Sequence, residues 1–121
     1  IFQEIGMRIV VINSHEHDVN ACYISHLPHL ISFGLANTVM SHQNPKEIIA
    51  LAAGGFKDMS RIAKSSPRMW GDIFKQNREN MLESIKSFED QMNEAKKMIE
   101  EERYEDLENW MKKANSLHEI L

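Results

Sequence analysis

One cysteine, three prolines and five glycines in 121 residues leave little room for several common architectures. A lone thiol at Cys22 excludes an intramolecular disulfide framework and fits a reducing compartment, so the chain is expected to be cytoplasmic. Eight prolines and glycines together are too few for a fibrous or disordered chain. No apolar run is long enough to span a bilayer, and no signal peptide is expected. Glycine-rich phosphate motifs, a P-loop and a Gly-x-Ser-x-Gly turn are all missing, and no Ser/His/Asp order suggests a nucleophilic triad. Basic residues never gather into the dense stripe that nucleic acid requires. No membrane or nucleic-acid partner is therefore expected. The chain opens on Ile1 rather than methionine, as expected of a piece of a longer protein.

What is present is ordinary globular material, 42% apolar and 26% charged, enough for one domain. The net charge of −4 is unevenly spread. Residues 1–71 carry six basic and five acidic side chains, whereas residues 72–121 carry eight and thirteen. The front half is the better home for an anion, and the back half is a solvated acidic surface.

Hydrophobic spacing predicts a mostly helical, all-α domain. The β-branched run Gly6–Ile12 is the exception and is expected to be a short strand or linker. Asp18 is a candidate N-cap for a helix reaching Ser41, kinked internally at Pro28, with Ala21, Ile24, Leu27, Ile31, Leu35 and Val39 as its core stripe. Asn44-Pro45 opens a second helix, expected to end at Gly54-Gly55 in a left-handed glycine cap. A short helix from Phe56 to Ala63 follows. Ser66-Pro67 then starts a long helix to about Glu101, with Phe74, Met81, Ile85, Phe88, Met92, Ala95 and Ile99 in near-heptad spacing and one polar interruption at Asn77-Arg78. A last helix from Tyr104 to Leu121, through Leu107, Met111, Ala114 and Leu117, completes an antiparallel hairpin.

The run Ser25-His26-Leu27-Pro28-His29 is the most informative feature. Histidines three residues apart share a helical face. The proline between them removes a backbone donor and frees the carbonyl of Ile24. His15, His17, Asp18, His26 and His29 could be considered as metal ligands, but their spacing matches no metal motif, and no metal is expected. The ordinary reading is that His17 and Asp18 lie at a helix start and that one of the paired histidines is a satisfied core residue. Gly54-Gly55-Phe56-Lys57-Asp58 is a glycine turn that can expose backbone donors, although such a turn is more often only a connection. Arg61 can hold a carboxylate bidentately, with Lys64 adding positive field beside it; alone, both would pass for a solvated patch. Trp70 alone would pass for core.

Taken together, His17-Asp18, the Ser25–His29 run, the block Ala53–Ala63 and Ser65-Ser66-Pro67-x-x-Trp70 resemble the C-terminal domain of bacterial prephenate dehydrogenases, over about residues 5–90. Arogenate and cyclohexadienyl dehydrogenases share this signature. The resemblance implies an enzyme of tyrosine biosynthesis, in which prephenate is oxidised at its ring carbinol, a hydride passes to NAD, and carbon dioxide leaves as the ring aromatises. It implies that residues 1–121 are the C-terminal helical dimerisation and substrate-binding domain, with 1–13 connecting to a Rossmann NAD-binding domain. That other domain would carry the catalytic histidine, so this chain alone should be inactive. By resemblance, Ser25, His26, His29, Arg61 and Trp70 contact the substrate, with His29 nearest and Arg61 on a carboxylate. Gly54, Gly55, Asp58 and Lys64 would support them, Asp58 by orienting Arg61 or closing a dimer contact. The family's interlocked dimer implies a homodimer. A non-catalytic helical interaction module is the rival expectation.

Overall fold

The computed structural model describes residues 14–121, and every regular element among them is helical. The strand or linker expected at Gly6–Ile12 lies outside the described residues. Helix α1 (Ser14–Ala21) runs into a π-helical turn (Cys22–His26) and on into α2 (Leu27–Met40). Short helices α3 (Pro45–Ile49) and α4 (Gly54–Ser60) follow, the latter continued by a 3-10 turn (Arg61–Lys64). Then come α5 (Pro67–Gln76), α6 (Arg78–Glu100), α7 (Tyr104–Asn115) and a closing 3-10 turn (Ser116–Glu119).

The chain forms two compact units, residues 14–84 and Ile85–Leu121. In the first, α2 packs against α3, α4 and the 3-10 turn after it. Its buried apolar side chains are Cys22, Leu27, Trp70 and Met81, and two serines are buried with them. Ser32 on α2 donates to the carbonyl of Met59 on α4 at 2.7 Å. Ser84 on α6 donates to the carbonyl of Met81 at 2.9 Å. Each hydroxyl thus finds a backbone acceptor, which is the condition for burying it without a net penalty.

Several sequence expectations are corrected here. Helix α1 is already formed at Ser14, so Asp18 lies inside it rather than capping it. The irregularity expected at Pro28 sits just upstream. The Leu27 amide donates to the carbonyl of Cys22 five residues back, a wide turn directly before the proline, which has no amide hydrogen of its own. The extra residue shifts the helical register. Cys22 is therefore buried behind Leu27, whereas Ile24, expected in the core stripe, is 80% exposed.

Helix α3 stops at Ile49, and its end is closed by turn bonds from Leu51 to Ile48 and from Ala52 to Ile49. Gly54 and Gly55 do not cap it. They form the first turn of α4, with no glycine at positive φ among the described residues. The long helix expected from Pro67 is broken at Asn77, where the backbone leaves the helical region at φ −120° and ψ 34°. Ser66 does cap α5, its hydroxyl accepting the Met69 amide at 3.3 Å.

In the second unit, α6 buries Met98 and half-buries Phe88 and Ala95, while Met92 and Ile99 of the expected seam are 43% and 51% exposed. Met98 turns inward where Ile99 was expected, next to Phe88 and Ala95 of the expected seam. Gln91, exposed beside them, accepts the indole N–H of Trp110 on α7 at 2.8 Å. Helix α7 ends at Asn115 rather than Leu121. The turn before it is a two-bond left-handed cap: Glu102 N–H to the Ile99 carbonyl and Arg103 N–H to the Met98 carbonyl, with Glu102 at φ 56°. Arg103 then pairs with Glu101 and Asp106, both at 2.8 Å, pinning the start of α7.

Candidate functional site

Pro28 and the π-turn explain why both histidines meet one tryptophan. With the wide turn placed before α2, His26 ends the π-turn and His29 falls on the first turn of α2. Ser66 and Pro67 start α5 so that Trp70 lies one turn in, and its ring is buried. His29 stacks on Trp70 with ring centroids 3.7 Å apart and planes 20° from parallel. His26 meets the same indole edge-on, at 5.9 Å and 77°. Phe74, one turn further along α5, extends the aromatic cluster at 5.6 Å.

The two imidazoles are held differently. His29 Nδ1 lies 2.8 Å from the carbonyl of Ser25. A carbonyl only accepts, so Nδ1 carries the proton, and in the neutral ring Nε2 is left as an acceptor. His26 Nδ1 lies 3.9 Å from Cys22 Sγ, the outer edge of a sulfur hydrogen bond. Burial pushes the His26 pKa below its ordinary value; His29 and His17 push the same way, and Asp18 opposes them. The Cys22 thiol is pushed up, first by burial and then by Asp18, against the Asn77 hydrogen bond. It is therefore a protonated thiol at neutral pH.

Asn77, at the break between α5 and α6, reaches back to this region. Its amide donates to the Asp18 carbonyl at 2.9 Å and to Cys22 Sγ at 3.0 Å, and its own carbonyl accepts from Asn80 at 2.8 Å. The sequence marked Asn77 only as a polar interruption in an apolar spacing, and Cys22 only as a lone thiol.

Arg61 begins the 3-10 turn that packs on α2, and pairs with Asp58 on α4 at 3.2 Å. Both side chains are largely exposed, and such a pair is worth less than about 1 kcal/mol. Its guanidinium thus remains free to exchange Asp58 for another carboxylate. The structure brings His26, His29 and Trp70 together, with Ser25 beneath His29. It gives Arg61 no hydrogen bond to that cluster among the described residues, and Lys64 is exposed at the far end of the same turn. At Gly54 and Gly55 an added Cβ would meet nothing within 4 Å, so this face of α4 is open.

His17 and Asp18 form a loose exposed pair at 3.7 Å. Among the described residues, no three of the histidines, cysteine and acids gather as a metal site. Two concavities lie elsewhere. An open groove of about 780 Å³ runs between α6 and α7, lined by Gln91, Met98, Arg103 and Trp110 among others. A smaller apolar hollow of about 380 Å³ is lined by Val39, Ile48, Leu51 and Phe56. Among the described residues, no helix is long and apolar enough to cross a membrane.

Residues 13–113 match the family described as prephenate dehydrogenase, dimerization domain. A prephenate dehydrogenase from Bacillus subtilis is 32% identical over 115 residues, covering 94% of this chain and 31% of the relative. A cyclohexadienyl dehydrogenase from Zymomonas mobilis is 35% identical over 89 residues, covering 72% of this chain and 30% of the relative. The chain thus spans about a third of the length of the curated relatives it matches. The crystal structure of prephenate dehydrogenase from A. aeolicus in complex with hydroxyphenyl propionate and NAD+ superposes with a TM-score of 0.83 at 38% identity, covering 91% of this chain and 39% of that one.

Proposed function

This chain belongs to the family of prephenate dehydrogenase dimerization domains, and from that premise we propose that it is the substrate-facing and self-associating part of an NAD-dependent prephenate dehydrogenase. The reaction is the oxidative decarboxylation of prephenate to 4-hydroxyphenylpyruvate, in the cytoplasm, on the route to tyrosine. The observation that carries this reading is the family match over residues 13–113, which spans every element around the His–Trp cluster.

Prephenate offers two carboxylates, a cyclohexadiene ring and a ring hydroxyl. Arg61 binds a carboxylate in place of Asp58, its planar fork matching the two oxygens. The face formed by Trp70, His26 and His29 receives the ring, and the Nε2 acceptor of His29 faces the hydroxyl. Ser25 fixes the His29 tautomer through its carbonyl. Gly54 and Gly55 leave α4 open to close approach, and Lys64 adds positive field. NAD supplies the hydride acceptor when bound. The described residues contain no strand–glycine turn–helix unit that would cradle a dinucleotide, so its site belongs to a separate domain of the whole protein, which also supplies the catalytic histidine. Residues 1–121 form the C-terminal domain, with 1–13 as connector.

Self-association is supported by the second unit. The open groove between α6 and α7, and the exposed apolar side chains Met92, Ile99, Tyr104, Met111 and Leu117, are surface that a second copy would cover. A homodimer follows.

The test is NADH production from prephenate by the full-length protein, wild type beside Arg61→Ala. Loss of a charged hydrogen-bond partner for a carboxylate, about 1.5–3 kcal/mol, is expected to raise KM by roughly 10- to 100-fold with folding intact. Unchanged kinetics would remove Arg61 from the site. No turnover would sink the reading altogether. Because a cyclohexadienyl dehydrogenase is among the relatives, arogenate belongs in the same assay, and turnover of arogenate alone would shift the substrate rather than the reaction.

A further inference from the structure

The His–Trp cluster follows a π-turn that a side chain from a distant segment reaches. A π-turn is rare and appears mostly as a single wide turn inside an α-helix, frequently at a functional site. Within the segment, Pro28 has no amide hydrogen to give, and His29 bonds the Ser25 carbonyl inside the turn. A further contact comes from 55 residues later. Asn77 donates to Cys22 Sγ at the first residue of the π-turn, and to the Asp18 carbonyl one turn before it. Reaching back this way goes with the break that ends α5, since an asparagine side chain bonded elsewhere competes with helix continuation.

The contact also orders a proton. The sulfur accepts from Asn77, so the remaining S–H is left to point elsewhere, and His26 Nδ1 stands 3.9 Å away. Directed there, it makes Nδ1 an acceptor and places the His26 proton on Nε2. His29 has the opposite arrangement, with its proton on Nδ1 toward Ser25. The pair on Trp70 thus offers one Nε2 donor, from His26, and one Nε2 acceptor, from His29.

We propose that Asn77 is a positioning residue for this pair, acting through the Cys22 thiol to hold the π-turn and to set the His26 tautomer. The proposal rests on the function given above for its kinetic consequence alone. The arrangement of the rings stands independently of it.

Both parts are read in the full-length protein. With histidine ring nitrogens labelled with nitrogen-15, the wild type is expected to show His26 unprotonated at Nδ1 and His29 unprotonated at Nε2, with His29 ring protons displaced upfield by Trp70. Asn77→Ala is expected to erase the His26 tautomer preference and to lose roughly half of the His29 displacement. It should also lower kcat/KM by roughly 10- to 100-fold, the scale on which small misplacements of reacting groups act. Ser84→Ala removes a buried hydroxyl from α6 without touching the turn, and is expected to lower the melting temperature while leaving both signatures and kcat/KM in place. If Asn77→Ala does not fold, Cys22→Ala carries the test, because it deletes the relay and keeps the Asn77 bond to the Asp18 carbonyl. Unchanged His26 nitrogens in the folded variant, the same changes in Ser84→Ala, or altered rings with unaltered kcat/KM would each overturn the role of Asn77. An inactive wild type would overturn the proposed reaction, and the ring nitrogens alone would then decide on Asn77.

Discussion

At the scale of single residues, the imidazole of His26 links packing to acidity. Burial, with His29 beside it, holds its folded-state pKa below the ordinary 6.5, and Asp18 only partly offsets this. The folded state therefore binds a proton less readily than the unfolded one. The stability this ring contributes is fully present above pH 6.5 and is lost as the pH falls through the window below it. Melting temperature measured from pH 7.5 to 5 is expected to fall on the acid side, and His26→Gln should flatten that limb. A variant as acid-sensitive as the wild type would place the titration elsewhere. The neighbouring side chains behave differently: Trp70 lies between two rings at the head of α5, and truncating so large a buried aromatic costs about 3–5 kcal/mol.

Helix ends show which features a sequence announces. Ser66-Pro67 and Asn44-Pro45 start helices where they were expected to, because a proline at the first helical position, and the Ser66 cap, need only adjacent residues. The π-turn could not be seen that way. Pro28 pointed to an irregularity, but its form depends on Asn77, whose side chain arrives from a distant segment. The departure of Met92 and Ile99 from the inward face of α6 was hidden for a related reason. Gln91, though exposed, faces Trp110 on α7 and bonds it, and apolar spacing alone ranks Met92 above it. The site was partly legible. Histidines three apart were expected on one face, and both do face Trp70, whereas nothing local tied them to Cys22 or Asn77.

The hairpin turn carries a testable strain. Glu102 holds a left-handed conformation that a side chain disfavours by roughly 1–2 kcal/mol. Glu102→Gly is expected to stabilise the turn by about 1 kcal/mol, once the greater freedom of glycine in the unfolded chain is offset. Thermal unfolding would show it as a rise of a few degrees. A drop would mean that the glutamate side chain contributes more than its backbone conformation loses.

Across the whole molecule, the balance of buried and exposed surface favours association. Few apolar side chains are fully buried, while Ile24, Leu51, Met92, Ile99, Met111 and Leu117 remain exposed. Replacing Met92 and Ile99 together by glutamate puts two charges on the outer face of α6 without disturbing Met98 beneath. Sedimentation of this double variant is expected to show monomers where the wild type sediments as a dimer, with helical content retained. A variant that stays dimeric would move the interface to the hollow beside Leu51.

The two tryptophans divide between the two units, Trp70 in the first and Trp110 in the second. Trp70 lies face to face with an imidazole, whereas Trp110 donates its N–H to a neutral amide. The emission of an indole depends on what its ring and its N–H touch, and these two differ in both. The protein therefore carries a built-in pair of optical reporters. One reports on the stacking contact with His29, and the other follows the hairpin, so each unit can be observed separately without a dye or a label.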